Sequence, residues 1–151
     1  MAHASWSKGE FKISTDPSLL DVNRIHAFLS QSYWSAGIPR ELVQKSIDAS
    51  LPFGIYSASG EQVGFARVIS DFATFAYLGD VYVEEAWRGK GLSKWLMECV
   101  MGHPQLQGLR RFCLGTRDAH GLYAQFGFRV VQVPANWMEI KKVDLYGSRA
   151  I

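Results

Sequence analysis

The sequence predicts an α/β (α+β) domain, with a mixed central sheet of six to seven strands flanked by about four helices. Three observations carry that expectation. Apolar residues recur at period two in some segments and at helical spacing in others, in the order β-α-α-β-β-β-α-β-α-β-β. One apolar, β-branched and aromatic run, Thr74 to Val83, passes directly into a glycine-containing turn that opens a helix. The chain has 151 residues, 48% of them hydrophobic and 13% aromatic, which is enough for one domain with a real core.

Taken in order, residues 1–10 are polar and predict a flexible N-terminus, leaving 11–151 as a single domain. Phe11 to Thr15 alternates as a short strand. Asp16-Pro17-Ser18 then supplies a turn and a helix start, and Leu19, Leu20, Ile25, Phe28 and Leu29 form an apolar helical face. A second helix is expected from Pro39 to Ser50, with proline near its first turn and Leu42, Val43, Ser46 and Ile47 at helical spacing. Phe53 to Ala58 and Val63 to Ser70 flank Ser59-Gly60-Glu61 and read as a hairpin, followed by the buried run Thr74 to Val83. Glu84 to Gly91 makes the turn, Leu92 to Gly102 the helix and Arg111 to Gly115 a further strand. Ala119 to Phe126 reads as a short helix stopped by Gly127, and Phe128 to Val133 and Met138 to Lys142 as closing strands.

Composition excludes several classes. The net charge is +2 and basic residues are spread along the chain, which argues against a nucleic-acid partner. No apolar run approaches the ~18–20 residues of a membrane span, and the N-terminus lacks the apolar stretch of a signal peptide, so no membrane partner is expected. The two cysteines, Cys99 and Cys113, fit no metal-ligand spacing and read as free buried thiols, which suits a cytoplasmic protein.

The segment with chemical content is Val81-Tyr82-Val83-Glu84-Glu85-Ala86-Trp87-Arg88-Gly89-Lys90-Gly91-Leu92-Ser93-Lys94. The first turn of a helix carries unpartnered N–H groups and a partial positive charge. Glycines let that backbone approach an anion, so a strand, a glycine turn and a helix together make a phosphate site, with Arg88 and Lys90 adding charge beside it. Gly89 and Gly91 also suit a plain tight turn. Neither GxxxxGK(S/T) nor GxGxxG is present, which disfavours a P-loop and a dinucleotide fold.

These residues resemble the GNAT superfamily of N-acetyltransferases, in particular its small bacterial-type members. The family's pyrophosphate loop reads Arg or Gln, two residues, Gly, one residue, then Gly or Ala. Arg88-Gly89-Lys90-Gly91-Leu92-Ser93 is similar to it, with Ser93 at the last position. The preceding Asp80-Val81-Tyr82-Val83 resembles the family's fourth strand, whose backbone pairs with the pantetheine arm of coenzyme A. A second block, Ala119-His120-Gly121-Leu122-Tyr123-Ala124-Gln125-Phe126-Gly127-Phe128, resembles the family's short helix ending in Gly-Phe, and Thr116 stands where Asn is frequent.

The resemblance implies the GNAT fold, acetyl-CoA as cofactor, and direct transfer of an acetyl group to an amine. Val81, Tyr82, Val83, Arg88, Gly89, Lys90, Gly91, Leu92, Ser93, Thr116, Tyr123 and Phe126 are the implied cofactor contacts. It makes Tyr123 the proton donor to the leaving thiolate, and Asp80 the leading base or a member of a water relay. By themselves the residues also allow Tyr123 as a core residue of the short helix and Asp80 as a structural carboxylate capping a neighbouring loop. His120 is a second candidate base, while Glu84 and Glu85 are expected to face solvent. On the acceptor side the resemblance places Tyr33, Trp34, Phe75 and Tyr77, facing a small-molecule or peptide amine. A homodimer is allowed, since the same aromatics could equally be core or dimer surface. A module that binds acyl-CoA as a sensor without turnover is the competing expectation.

Overall fold

A computed structural model describes residues 2–147 of the chain. A six-stranded sheet runs in the spatial order of the sequence. The strands are β1 (Ser5–Lys8), β2 (Phe11–Ser14), β3 (Leu51–Tyr56), β4 (Gln62–Ser70), β5 (Phe75–Val83) and β6 (Arg111–Leu114). Neighbours pair antiparallel throughout except β5 and β6, which are parallel. A parallel neighbour needs a long crossover, and helix α3 (Leu92–Met101) supplies it. The other helices are α1 (Val22–Leu29), α2 (Arg40–Asp48) and the short α4 (His120–Ala124).

The sheet buries both faces. On one, α3 places Leu92, Trp95, Leu96, Met97 and Val100 against Ile13, Phe53, Ile55, Val68 and Leu78. On the other, α1 and α2 contribute Ile25, Leu29, Val43 and Ile47, which meet Phe65 and Tyr82 from the sheet. Local chemistry fixes the ends. Asp21 accepts from the Arg24 N–H at 3.0 Å and caps α1. Asp71 accepts from the N–H groups of Ala73, Thr74 and Phe75, which organises the turn into β5 and holds its carboxyl well below the usual range.

Three expectations change. Residues 5–8 are not loose: they pair with β2, because Trp6 stacks on Phe53 at 6.0 Å and draws the segment onto the core. Phe128 to Val133 and Met138 to Lys142 are not strands. Neither stretch has a ladder partner, and a strand without one leaves its backbone groups to water. Their apolar side chains are correspondingly open: Val130 is 71% exposed, Met138 96% and Ile140 94%. Among the described residues, no helix is long and apolar enough to cross a membrane.

Candidate active site

The site begins where β5 and β6 part. Their register runs only from Phe75 opposite Arg111 to Leu78 opposite Leu114, and β5 then continues alone to Val83. A cavity of about 660 Å³ fills the divergence, between Leu78–Val81 on one side and Leu114–Ala119 on the other. The pleat decides what β5 offers it. The Glu84 N–H donates to the Val63 carbonyl at 2.8 Å, so Tyr82 shares the phase that faces β4. The backbone groups of Val81 and Val83 therefore turn to the edge that β6 has vacated. The Tyr82 ring packs at 3.8 Å on Phe28 in the core, so this expected cofactor contact turns its ring to the core and its backbone to β4, and the cleft meets Val81 and Val83 instead.

A bulge sits at the head of the cleft. Phe65 pairs with Tyr82 but Arg67 with Gly79, so β5 carries an extra residue there. Asp80 takes the left-handed conformation at φ 53°, uncommon outside glycine but tolerated best by Asp and Asn. Its carboxylate is fixed from two directions. Oδ1 accepts from Trp34 Nε1 at 2.8 Å, and Oδ2 from Arg67 Nε at 2.6 Å. Arg67 in turn donates to Ser50 Oγ at 3.1 Å. Both oxygens already accept a hydrogen bond, and their remaining lone pairs can still hold a cation or a water.

The turn after β5 is open at the start of α3. Gly89 and Gly91 lie at φ 82° and 77°, where a side chain is strained, and no side chain caps the helix. The first intrahelical bond is from Trp95 N–H to Gly91 O at 3.1 Å, which leaves the N–H groups of Leu92, Ser93 and Lys94 without helical partners. They bound a small cavity of about 250 Å³ with Val83, Arg88 and Leu122 of α4. The Arg88 Nε–H donates to the Val83 carbonyl at 2.9 Å, tying the loop to the strand end. Lys90 is exposed on the same loop.

Helix α4 borders both cavities, through Leu122 at the loop and Tyr123 at the cleft. Tyr123 is 8% exposed and borders the cleft with Asp80 and Thr116. Among the described residues its hydroxyl has no hydrogen-bond partner, yet it is not among the sealed-in phenols, as Tyr56 and Tyr82 are. Burial first, and Tyr33 second, push its pKa above the ordinary tyrosine value, so it keeps its proton at neutral pH. Thr116 Oγ1 accepts from the Ala119 N–H at 3.0 Å and so sets the start of α4.

The structure gathers most, but not all, of the expected residues. Tyr33, Trp34 and Tyr77 reach the cleft, while Phe75 stands at the far end of β5 opposite Arg111. Phe126 lies away from the cleft, beside Met101 and Arg110. Glu84 does not face solvent freely, because Arg24 grips both its oxygens. Exposed His120 borders a separate cavity beside Tyr123. Sequence reasoning missed Arg67, Arg117, Glu139 and Lys141, all of which line the cleft. Arg67 left a signal, a lone charge inside the apolar run Val63 to Ser70. The Arg117 guanidinium lies 3.9 Å over the Tyr33 ring, a pairing 84 residues apart that no local pattern shows.

Comparison with known proteins agrees with this geometry. The family model described as an acetyltransferase (GNAT) domain matches residues 50–130. A protein of Gibberella zeae described as an acetyltransferase is 33% identical, the match covering 80% of each chain. The crystal structure of a protein assigned to the GNAT family, from Xanthomonas campestris pv. campestris, superposes with a TM-score of 0.90 at 55% identity, over 93% of this chain and 99% of that one. A Clostridium acetobutylicum protein, described as an acetyltransferase and solved with acetyl-CoA, shares the fold with a TM-score of 0.61 at 13% identity, over 93% and 95% of the two chains.

Proposed function

This chain belongs to the GNAT acetyltransferase family and is an acyltransferase, and from that premise we propose that it moves an acetyl group from acetyl-CoA directly to a primary amine of a small molecule or peptide. The observation that carries the reading is the Tyr123 hydroxyl, unpartnered on the cleft between a free strand edge and an open helix N-terminus. The residues present fit the cofactor. The N–H groups of Leu92, Ser93 and Lys94, with Arg88, Gly89, Lys90 and Gly91, form a cradle for its pyrophosphate, and the free edge at Val81 and Val83 suits an amide-bearing arm. When bound, acetyl-CoA supplies an activated acyl carbon.

The chain's own residues then do three things. A β5 edge N–H, at Val81 or Val83, donates to the acyl oxygen as charge develops on it. Tyr123, protonated, hands its proton to the departing thiolate. Asp80, braced by Trp34 and Arg67, orients the acceptor ammonium and takes up its proton through water. Tyr33, Trp34 and Tyr77 give that acceptor an aromatic wall suited to a cation. The two unbridged cysteines, Cys99 and Cys113, accord with a cytoplasmic setting. The test is release of free CoA thiol from acetyl-CoA across a panel of primary amines. Amine-dependent release is the expected result, and none from any amine at millimolar concentration would overturn the proposal.

A further inference from the structure

We propose that the amine this chain acetylates belongs to an α-amino acid with an apolar or aromatic side chain, whose carboxylate is held by Arg67 while Asp80 holds its ammonium. The inference rests on the acetyl-transfer reading above and names the acceptor of that same cleft. Its starting point is a pair of opposite charges lying side by side in one cavity. Arg67 Nε donates to Asp80 Oδ2 at 2.6 Å, and both residues line the cleft. Their side chains are only 19% and 9% exposed, so water screens each charge poorly.

The pair is braced, and each member keeps a polar group to spare. Arg67 Nη1 donates to Ser50 Oγ at 3.1 Å, and Ser50 Oγ donates in turn to the Ser46 carbonyl of α2. Among the described residues Arg67 Nη2 makes no hydrogen bond, yet it is not one of the atoms sealed from water, as the Tyr56 and Tyr82 hydroxyls are. The space beside it is the cleft. Asp80 accepts one bond on each oxygen, which leaves lone pairs for an ammonium. A guanidinium fork matches a carboxylate as a carboxylate matches an ammonium. In an α-amino acid those two ligand groups hang on one carbon by bonds of about 1.5 Å, so they suit two protein groups that are themselves in contact.

Charge decides against other amines. A simple ammonium meets the attraction of Asp80 and the repulsion of Arg67 beside it, and the two largely cancel. A zwitterion laid antiparallel to the pair satisfies both ends and brings no net charge into a cleft that is itself balanced. Among the described residues, Arg67, Arg117 and Lys141 line it against Asp80, Asp118 and Glu139. A polyamine or a lysine-rich peptide would need a surplus of carboxylates there. Arg117 is a poorer reader than Arg67, because its side chain is 64% exposed and its guanidinium lies over the Tyr33 ring. The walls set the side chain: Tyr33, Trp34 and Tyr77 are exposed aromatics that an apolar group would cover. In the transfer, nitrogen bonds to the acyl carbon as the carbon–sulfur bond breaks. Of the two protons the ammonium gives up, one leaves through water at Asp80, and the other replaces the one that Tyr123 hands to sulfur.

Release of CoA thiol from acetyl-CoA by the whole chain tests this with matched acceptors: phenylalanine, leucine and methionine, each beside its amide and its decarboxylated amine. The free acids should give a kcat/KM roughly tenfold to a hundredfold above their partners, the range for losing one hydrogen bond to a charged group. Arg67→Gln should remove that advantage by slowing the acids, with the decarboxylated amines unchanged or faster because the repelling cation is gone. A thermal shift with acetyl-CoA, kept in the variant, separates lost recognition from a lost fold. The wild-type panel decides by itself if the variant fails to fold. Equal or faster turnover of the decarboxylated amines would overturn this inference and leave the acetyl-transfer reading standing, whereas no release from any acceptor would overturn both. A folded Arg67→Gln enzyme that still prefers the acids would also overturn it, since the carboxylate would then be held elsewhere.

Discussion

The half of the cleft proposed for the cofactor (the cofactor half) and the half proposed for the acceptor (the acceptor half) are built in different ways. The cofactor half is one continuous stretch, Val81 to Lys94, and it presents mainly backbone: a vacated strand edge, two glycines at positive φ, and three unpartnered N–H groups. The acceptor half is assembled from side chains far apart in sequence. Trp34, Arg67 and Asp80 meet there by hydrogen bonds, with Tyr33, Arg117 and Glu139 around them. A ligand common to a whole family suits the first design, since backbone groups survive sequence change. An acceptor particular to one protein suits the second, because each of its contacts can change independently.

The largest effect is expected at Tyr123, on the cleft face of α4. Tyr123→Phe keeps the ring and its packing on Phe128, so CoA affinity should hold while turnover falls about 10²–10⁴-fold, the scale of a lost general acid. Steady-state rates and CoA titration on one preparation check this, and near-normal turnover would move the proton donor elsewhere. On the cofactor side alone, acetyl-CoA at a hundredfold excess over Kd should stabilise the protein by roughly 2.7 kcal/mol. Gly91→Val should abolish that gain, because a β-branched residue at φ 77° distorts the loop. Open space surrounds the glycine, so the cause would be backbone strain rather than a clash. A normal thermal shift in this variant would reduce the loop to a turn.

On the acceptor side, Asp80→Asn keeps the left-handed backbone accessible and an oxygen for Trp34, but removes the charge opposite Arg67. It should cost about 2 kcal/mol of stability, as for a hydrogen bond to a charged group, and raise the KM for the amine while CoA affinity is unchanged. If CoA affinity falls with it, the two halves are not separable. The smallest effect belongs to the frame behind both. Burial lowers the His103 pKa below its ordinary 6.5, and its Nδ1 accepts from the Gln105 N–H at 3.1 Å. Between those two values the unfolded chain binds more protons than the folded one, so stability should fall as pH drops below about 6.5 and level off below the folded value. Melting temperatures across that range should show the decline, and His103→Gln should flatten it.

Much of this was legible in the sequence for one physical reason. Local determinants act within a few residues, and the strand–glycine–helix passage from Thr74 to Met101 is local throughout. Apolar runs and helical patterns located α1, α2, α3 and five of the six strands, since side-chain direction follows from backbone geometry alone. The short block around Tyr123 announced its helix in the same way. Tertiary structure alone decided what depends on distant partners. Trp6 drew residues 5–8 into the sheet, Arg24 took Glu84 from solvent, and Arg67 with Trp34 turned Asp80 from a free carboxylate into a braced one. The same dependence explains the two C-terminal stretches. Their alternation is that of strands, but alternation specifies only a face, and a strand exists only where another edge meets it.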